Sequence, residues 1–130
     1  MERNLVKIQR LNVDTFTIDE AIKYANTISG QVITINPEMI ENASQNPDFA
    51  EIINSAELVI PDGIGVEIGL KILGYNVRRI AGIEFSRRMI EECAKNSQSV
   101  ALVGAKPQIV EKAKENLEKE ISGLYITYAH

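Results

Sequence analysis

Among the 130 residues of this chain, Asp62 has the surroundings best suited to chemistry. It follows the apolar run Leu58-Val59-Ile60 and precedes Gly63-Ile64-Gly65, whose glycines let a ligand approach the backbone closely. A carboxylate so placed can act as a general base on a hydroxyl nucleophile. The same spacing suits Asp62 as the cap of a helix starting near Gly63, and on spacing alone the cap is favoured. Asn36 carries a similar ambiguity: Asn36-Pro37-Glu38 is a well-formed helix start, with Asn capping, Pro at the first position and Glu matched to the helix dipole. Thr34 is a ligand contact only if it lies at the open end of its strand; otherwise its hydroxyl bonds nearby backbone.

Arg78 and Arg79 precede an Ala81-Gly82 turn. A guanidinium pairs well with phosphate oxygens and stays charged in a pocket, but the pattern does not choose between the two. Gly104-Ala105-Lys106-Pro107 lies between a strand and a helix, where free amides can face an anion. It matches neither the GxGxxG nor the GxxxxGKS/T nucleotide signature, so a tight strand-to-helix turn is the favoured reading. Cys93 reads as a small buried hydrophobe, and Tyr125 and Tyr128 as strand-surface packing.

The elements that must hold these residues follow from periodicity. Val6–Arg10 and Leu11–Asp14 alternate apolar with polar residues, as one-faced strands do. Thr17-Ile18-Asp19-Glu20 forms a capping box ahead of a helical face of Ala21, Ile22, Ala25 and Ile28, with Gly30 placed to close it. Val32–Ile35, Leu58–Ile60 and Val100–Val103 are almost wholly apolar and predict strands covered on both sides. Helices are predicted over Pro37–Gln45, Pro47–Asn54, Ile64–Leu73, Phe85–Lys95 and Pro107–Glu120, and a last strand over Tyr125–Tyr128. Buried strands alternating with helices predict a Rossmann-like α/β fold: a mainly parallel sheet with helices on both faces and an N-terminal β-hairpin. The turns after Thr34, Ile60 and Val103 then share the carboxyl edge of the sheet, where open α/β folds place ligands.

Composition narrows the function. Fourteen basic residues (Lys+Arg 14) against Asp+Glu 18 leave a net charge of −4, and aromatics make up 5%. That argues against a nucleic-acid binder, which needs a basic face and stacking platforms. One cysteine and one histidine, His130, exclude an internal disulfide, a cysteine-based zinc site and a conventional Ser-His-Asp hydrolase. The N-terminus lacks the apolar core of a signal peptide, and no apolar run reaches the roughly 18 residues of a spanning helix. The chain reads as cytosolic, without linker or repeat, a single α/β domain over residues 1–130.

Taken in order, Thr34-x-Asn36-Pro37-Glu38, Pro61-Asp62-Gly63-x-Gly65 and Arg79-x-x-Gly82 resemble the WecG/TagA/CpsF family of bacterial glycosyltransferases. Leu102-Val103-Gly104-Ala105 and the stretch Glu111–Leu117 extend that resemblance through nearly the whole chain. The resemblance implies transfer of N-acetylmannosamine or a related hexosamine from UDP to N-acetylglucosamine on undecaprenyl diphosphate. Such products feed teichoic acid or other surface polysaccharides. By position it makes Asp62 the catalytic base and sets Thr34, Asn36 and Gly63 around the substrates. Arg79, rather than Arg78, falls where diphosphate is held, and Gly104 against the donor nucleotide. No Asp-x-Asp motif is present, so transfer is expected without metal or cofactor, with inversion at the anomeric carbon.

Two departures accompany the resemblance. Glu84 stands where the family has Asp, two residues after Gly82. The family also continues past His130 with a Gly-x-Pro-x-Gln-Glu-like motif and a basic appendage that docks on the membrane. The expectation is therefore an N-terminal portion with weak activity by itself, from a protein peripheral at the inner face of the cell membrane when full length. An uncovered sheet edge would favour a homo-oligomer. A non-catalytic nucleotide-sugar binding domain, or an inactive fragment of such an enzyme, is the alternative; a plain interaction module is the third reading.

Overall fold

In the computed structural model, which describes residues 1–130, the alternating N-terminal residues form an antiparallel hairpin. Strand β1 (Leu5–Ile8) pairs with β2 (Leu11–Asp14), with Ile8 opposite Leu11 and Leu5 opposite Asp14. Helix α1 (Ile18–Ala25) follows its capping box: Thr17 Oγ1 accepts from the Glu20 N–H, and the Thr17 N–H donates to the Glu20 carboxylate. The Thr17 N–H, with the Thr17 hydroxyl second, holds the Glu20 carboxyl below its ordinary value. The helix ends at Ala25 rather than near Gly30 because, past the still-helical Asn26, the bonds tighten to three-residue spacing: the Thr27 N–H donates to the Tyr24 carbonyl at 3.0 Å, and the Thr27 hydroxyl donates to the same oxygen at 2.7 Å.

Strand β3 (Val32–Ile35) leads to α2 (Pro37–Gln45) and α3 (Pro47–Asn54), each with Pro at its first position and an Asn cap before it. Strand β4 (Leu58–Pro61) then returns parallel to β3, with Val32 opposite Leu58 and Ile35 opposite Pro61. Helices α4 (Ile64–Ile72) and α5 (Gly82–Lys95) follow. Strand β5 (Ser99–Leu102), helix α6 (Pro107–Glu120) and strand β6 (Tyr125–Ala129) complete the chain, with β6 parallel to β5. This is the Rossmann-like α/β architecture, parallel pairs with intervening helices behind an N-terminal hairpin.

The strands fall into three pairs rather than one continuous ladder. The chain divides into two compact units, Met1–Phe85 and Ser86–His130, with the boundary inside α5. In the first, Leu11, Val13, Ile35, Ile53, Val59, Val66 and Leu70 are buried together. In the second, Ile121, Leu124 and Ile126 pack with Ile90, Val100, Leu102 and Leu117. Burial on both faces holds for β4 alone. Strand β3 is only partly covered, and β5 alternates exposed with half-buried residues, because Val100 and Leu102 alone turn toward that second core. Helix α5 starts three residues before the predicted Phe85, since the Ala81 carbonyl accepts from the Phe85 N–H at 3.0 Å and so closes a turn over Gly82. No helix is long and apolar enough to cross a membrane.

One polar group lies inside the first unit. Asp14, 2% exposed, receives the Arg3 guanidinium on both oxygens at 2.9 and 2.8 Å, and the Val59 N–H on Oδ2 at 2.7 Å. The carboxylate thus bridges β2 to β4, which belong to separate strand pairs. The Arg3 pKa is raised, chiefly by its hydrogen bond to Asp14. Removing one partner leaves a largely desolvated cation and a buried N–H without an acceptor. Asp14→Ala is expected to cost about 3 kcal/mol in urea denaturation; a loss below about 1 kcal/mol contradicts this role for the bridge.

Candidate functional site

Parallel pairing brings the ends of β3 and β4 level, so the residues that follow them emerge together. The Asp62 N–H donates to the Ile35 carbonyl at 2.8 Å, carrying the pairing one residue past Pro61. The Ile80 N–H donates to the Pro61 carbonyl, also at 2.8 Å, which brings the segment before α5 onto the end of β4. Between these two contacts the chain turns at Gly63, whose φ of 93° is a conformation that L side chains avoid.

That turn decides between the two readings of Asp62. The N-cap of α4 is Gly63, and no side chain caps this helix. Asp62 stands one residue too early to reach the first-turn amides. Its half-buried carboxylate makes no hydrogen bond or ion pair within the protein. The cap that the spacing favoured does not form.

Thr34 and Gly82 stand beside that carboxylate. A Cβ built on Gly82 would lie 3.1 Å from Asp62 Oδ2 and 3.0 Å from Thr34 Cγ2. Thr34, Asp62 and the first residue of α5 are therefore in contact range at the strand ends. In front of Gly63 the space is open, since a Cβ there would meet nothing within 4 Å.

The other predicted residues are placed differently. Asn36 caps α2, its Oδ1 accepting from the Met39 N–H at 2.9 Å, so the structural half of its reading holds. Arg79 lies in a cleft of about 380 Å³ that also takes in Arg78, Glu84 and Thr17 but not Asp62. There its guanidinium pairs with Glu67 at 2.8 Å, with the two side chains 49% and 26% exposed. A pair so open to water contributes about 0–1 kcal/mol, which leaves the arginine available to a stronger anion. Gly104 belongs to the second unit; its φ is 120°, and its N–H already donates to the His130 carbonyl at 2.8 Å. That amide is committed, and what Gly104 offers is an uncovered Cα.

Two features escaped the sequence reading. Gly82 belongs to a motif, but only coordinates show what its missing side chain faces. Glu67 gave no signal, because twelve positions separate it from Arg79 and a first-turn acid on α4 is fully explained by the helix dipole.

The family model described as "Glycosyl transferase WecG/TagA/CpsF family" matches residues 6–130. One curated relative, from Bacillus spizizenii, is named N-acetylglucosaminyldiphosphoundecaprenol N-acetyl-beta-D-mannosaminyltransferase. It is 29% identical over 96 residues, which cover 73% of this chain and 37% of the relative. A protein of the same name from Staphylococcus aureus is 30% identical over 141 residues, covering 98% of this chain and 54% of the relative. The chain spans about half the length, or less, of these relatives.

The cap at Asn36 gives a direct check on the strand-end geometry. Asn36→Ala is expected to lower unfolding stability by about 1 kcal/mol, while Asn36→Asp, which keeps an accepting oxygen, holds it. Equal stability of the Ala variant and the parent in a denaturant titration contradicts the cap.

Proposed function

The chain belongs to the WecG/TagA/CpsF family of glycosyl transferases, and from that premise we propose that it carries the base and donor-binding part of a UDP-hexosamine transferase. The relatives' name supplies the substrates of this reading: N-acetylmannosamine as the sugar transferred and N-acetylglucosamine on undecaprenyl diphosphate as the acceptor. The observation that carries it is the Asp62 carboxylate, fixed at the end of a buried strand, unbonded, with open space at the adjoining Gly63.

The chemistry asks for such a group. A sugar hydroxyl is a weak nucleophile, and a base that takes its proton as the new bond forms lowers the barrier. In this reading the acceptor oxygen bonds to the anomeric carbon of the donor, the bond from that carbon to the diphosphate oxygen breaks, and the proton passes to Asp62. UDP leaves with the bonding electrons. Attack from the face opposite UDP inverts the anomeric configuration. Charge gathers on the departing diphosphate, where Arg79 stabilises it after exchanging Glu67 for phosphate oxygens. Thr34 and Asn36 flank the base at the strand ends, and Gly63 lets the substrate approach the backbone. Gly104 enters this reading through its motif, as bare backbone for the nucleotide. Neither step calls for a metal ion. In this reading, work on a lipid-linked acceptor happens at a membrane surface.

The assignment separates into two measurable roles. With UDP-N-acetylmannosamine and a lipid-linked N-acetylglucosamine acceptor, Asp62→Asn is expected to lower kcat by about 100-fold or more while UDP affinity in calorimetry changes less than about twofold. Arg79→Ala is expected to weaken UDP binding by about tenfold. Unchanged turnover in Asp62→Asn rejects the base; UDP binding with no turnover in the parent chain identifies a binding domain instead.

A further inference from the structure

Gly82 has no backbone reason to be glycine. Its φ is not among the positive values, and it occupies the first position of a fourteen-residue helix, where alanine is the better helix former. The reason lies across the gap. A Cβ at Gly82 would come within 3.0 Å of Thr34 Cγ2, 3.1 Å of Asp62 Oδ2 and 3.3 Å of Thr34 Cβ. All three separations are tighter than ordinary van der Waals contact, and two of them involve one side chain on β3.

Neither neighbour can give way without leaving its place. Thr34 is β-branched and stiff at χ1, and its backbone is locked opposite Ile60 in the parallel ladder. Asp62 is held by its own N–H on the Ile35 carbonyl, so a push on Oδ2 is absorbed by rotation of the carboxylate. Nor can α5 back away freely at this end. The Ile80 N–H ties the preceding segment to Pro61, and Phe85, one turn on, is buried in the first unit.

We infer that Gly82 is a positioning residue for the proposed base: its missing side chain leaves the Asp62 carboxylate and the Thr34 methyl in their working orientations. This rests on the reading of Asp62 as the base. Gly82 touches no reacting atom in this account. It acts by keeping empty the volume into which any side chain would drive the carboxylate out of line. A group that must meet a hydroxyl proton within hydrogen-bond reach loses efficiency when displaced by a fraction of an ångström.

The test compares Gly82→Ala with Gly69→Ala in the full chain. Gly69 is also a helical glycine, but a Cβ there meets only the flexible tip of Ile8 at 3.2 Å, far in sequence from the proposed base. In Gly82→Ala the carboxyl carbon resonance of Asp62 and the methyl resonance of Thr34 are expected to move. The melting temperature should fall modestly as the crowded contacts are relieved by small shifts, kcat should fall about tenfold, and donor KM should stay within about twofold. Gly69→Ala should leave both resonances in place. Adding Thr34→Ser to Gly82→Ala removes the methyl from the closest contact and should return part of the lost kcat. Undisturbed Asp62 and Thr34 resonances in Gly82→Ala overturn the inference, with or without measurable transfer. So does parent-like kcat in Gly82→Ala when Asp62→Asn is inactive. Full turnover in Asp62→Asn removes the base reading itself and is recognised separately, because the resonance comparison does not depend on it.

Discussion

Strand β4 is the constraint on which the rest of the first unit depends. All four of its residues are buried, so none can shift without opening the core. Three independent ties fix it along its length: the ladder to β3, the Asp14 carboxylate on the Val59 N–H, and the Ile80 N–H on the Pro61 carbonyl. Whatever leaves the end of this strand is aimed with the precision of the core rather than that of a loop. Asp62 is the residue that leaves it. A carboxylate intended for proton transfer gains most from such a rigid mount.

The two aspartates on either side of this strand illustrate how environment assigns a role. Asp14 is closed off from water and has its oxygens filled by Arg3 and Val59, so its charge is spent entirely on holding β2 to β4. Asp62 is half buried, meets no donor from the protein, and stands beside a glycine in front of open space. Its partners mark Asp14 as structural, and their absence leaves Asp62 free for the role proposed for it. Asn36, level with Asp62 at the neighbouring strand end, has its side-chain oxygen occupied by the cap of α2. In the proposed reading, helix start and substrate site share a few residues, each divided between backbone and ligand. Glycines at 63 and 82 supply the room that such crowding requires, the first through its φ and the second through its missing Cβ.

Much of this was legible in the residues themselves. The capping box at Thr17, the Asn-Pro starts of α2 and α3, and the alternation in β1 and β2 are local signals, and each element formed at its signal, though β1 spans Leu5–Ile8 and leaves Gln9 and Arg10 to the hairpin turn. Less legible were features that depend on distant partners. An apolar run such as Val100–Leu102 does not say whether one face or two will be covered, and in β5 only one is. The Asp14 link from β2 to the Val59 N–H of β4 joins residues far apart in sequence, and periodicity does not show it. At the site, spacing favoured a cap at Asp62 that does not form, because the helix begins one residue later than that cap requires. The Arg79–Glu67 pair and the contact surface of Gly82 join segments far apart in sequence, and nothing in either segment announces the other.

The central claim is that the Asp62 carboxylate is free to act, and folding stability measures that freedom without any substrate. Asp62→Ala and the parent chain, unfolded side by side in urea at neutral pH, are expected to agree within about 0.5 kcal/mol, because no hydrogen bond is lost. A deficit of about 1 kcal/mol or more in the alanine variant, the signature of a lost helix cap, would contradict the account.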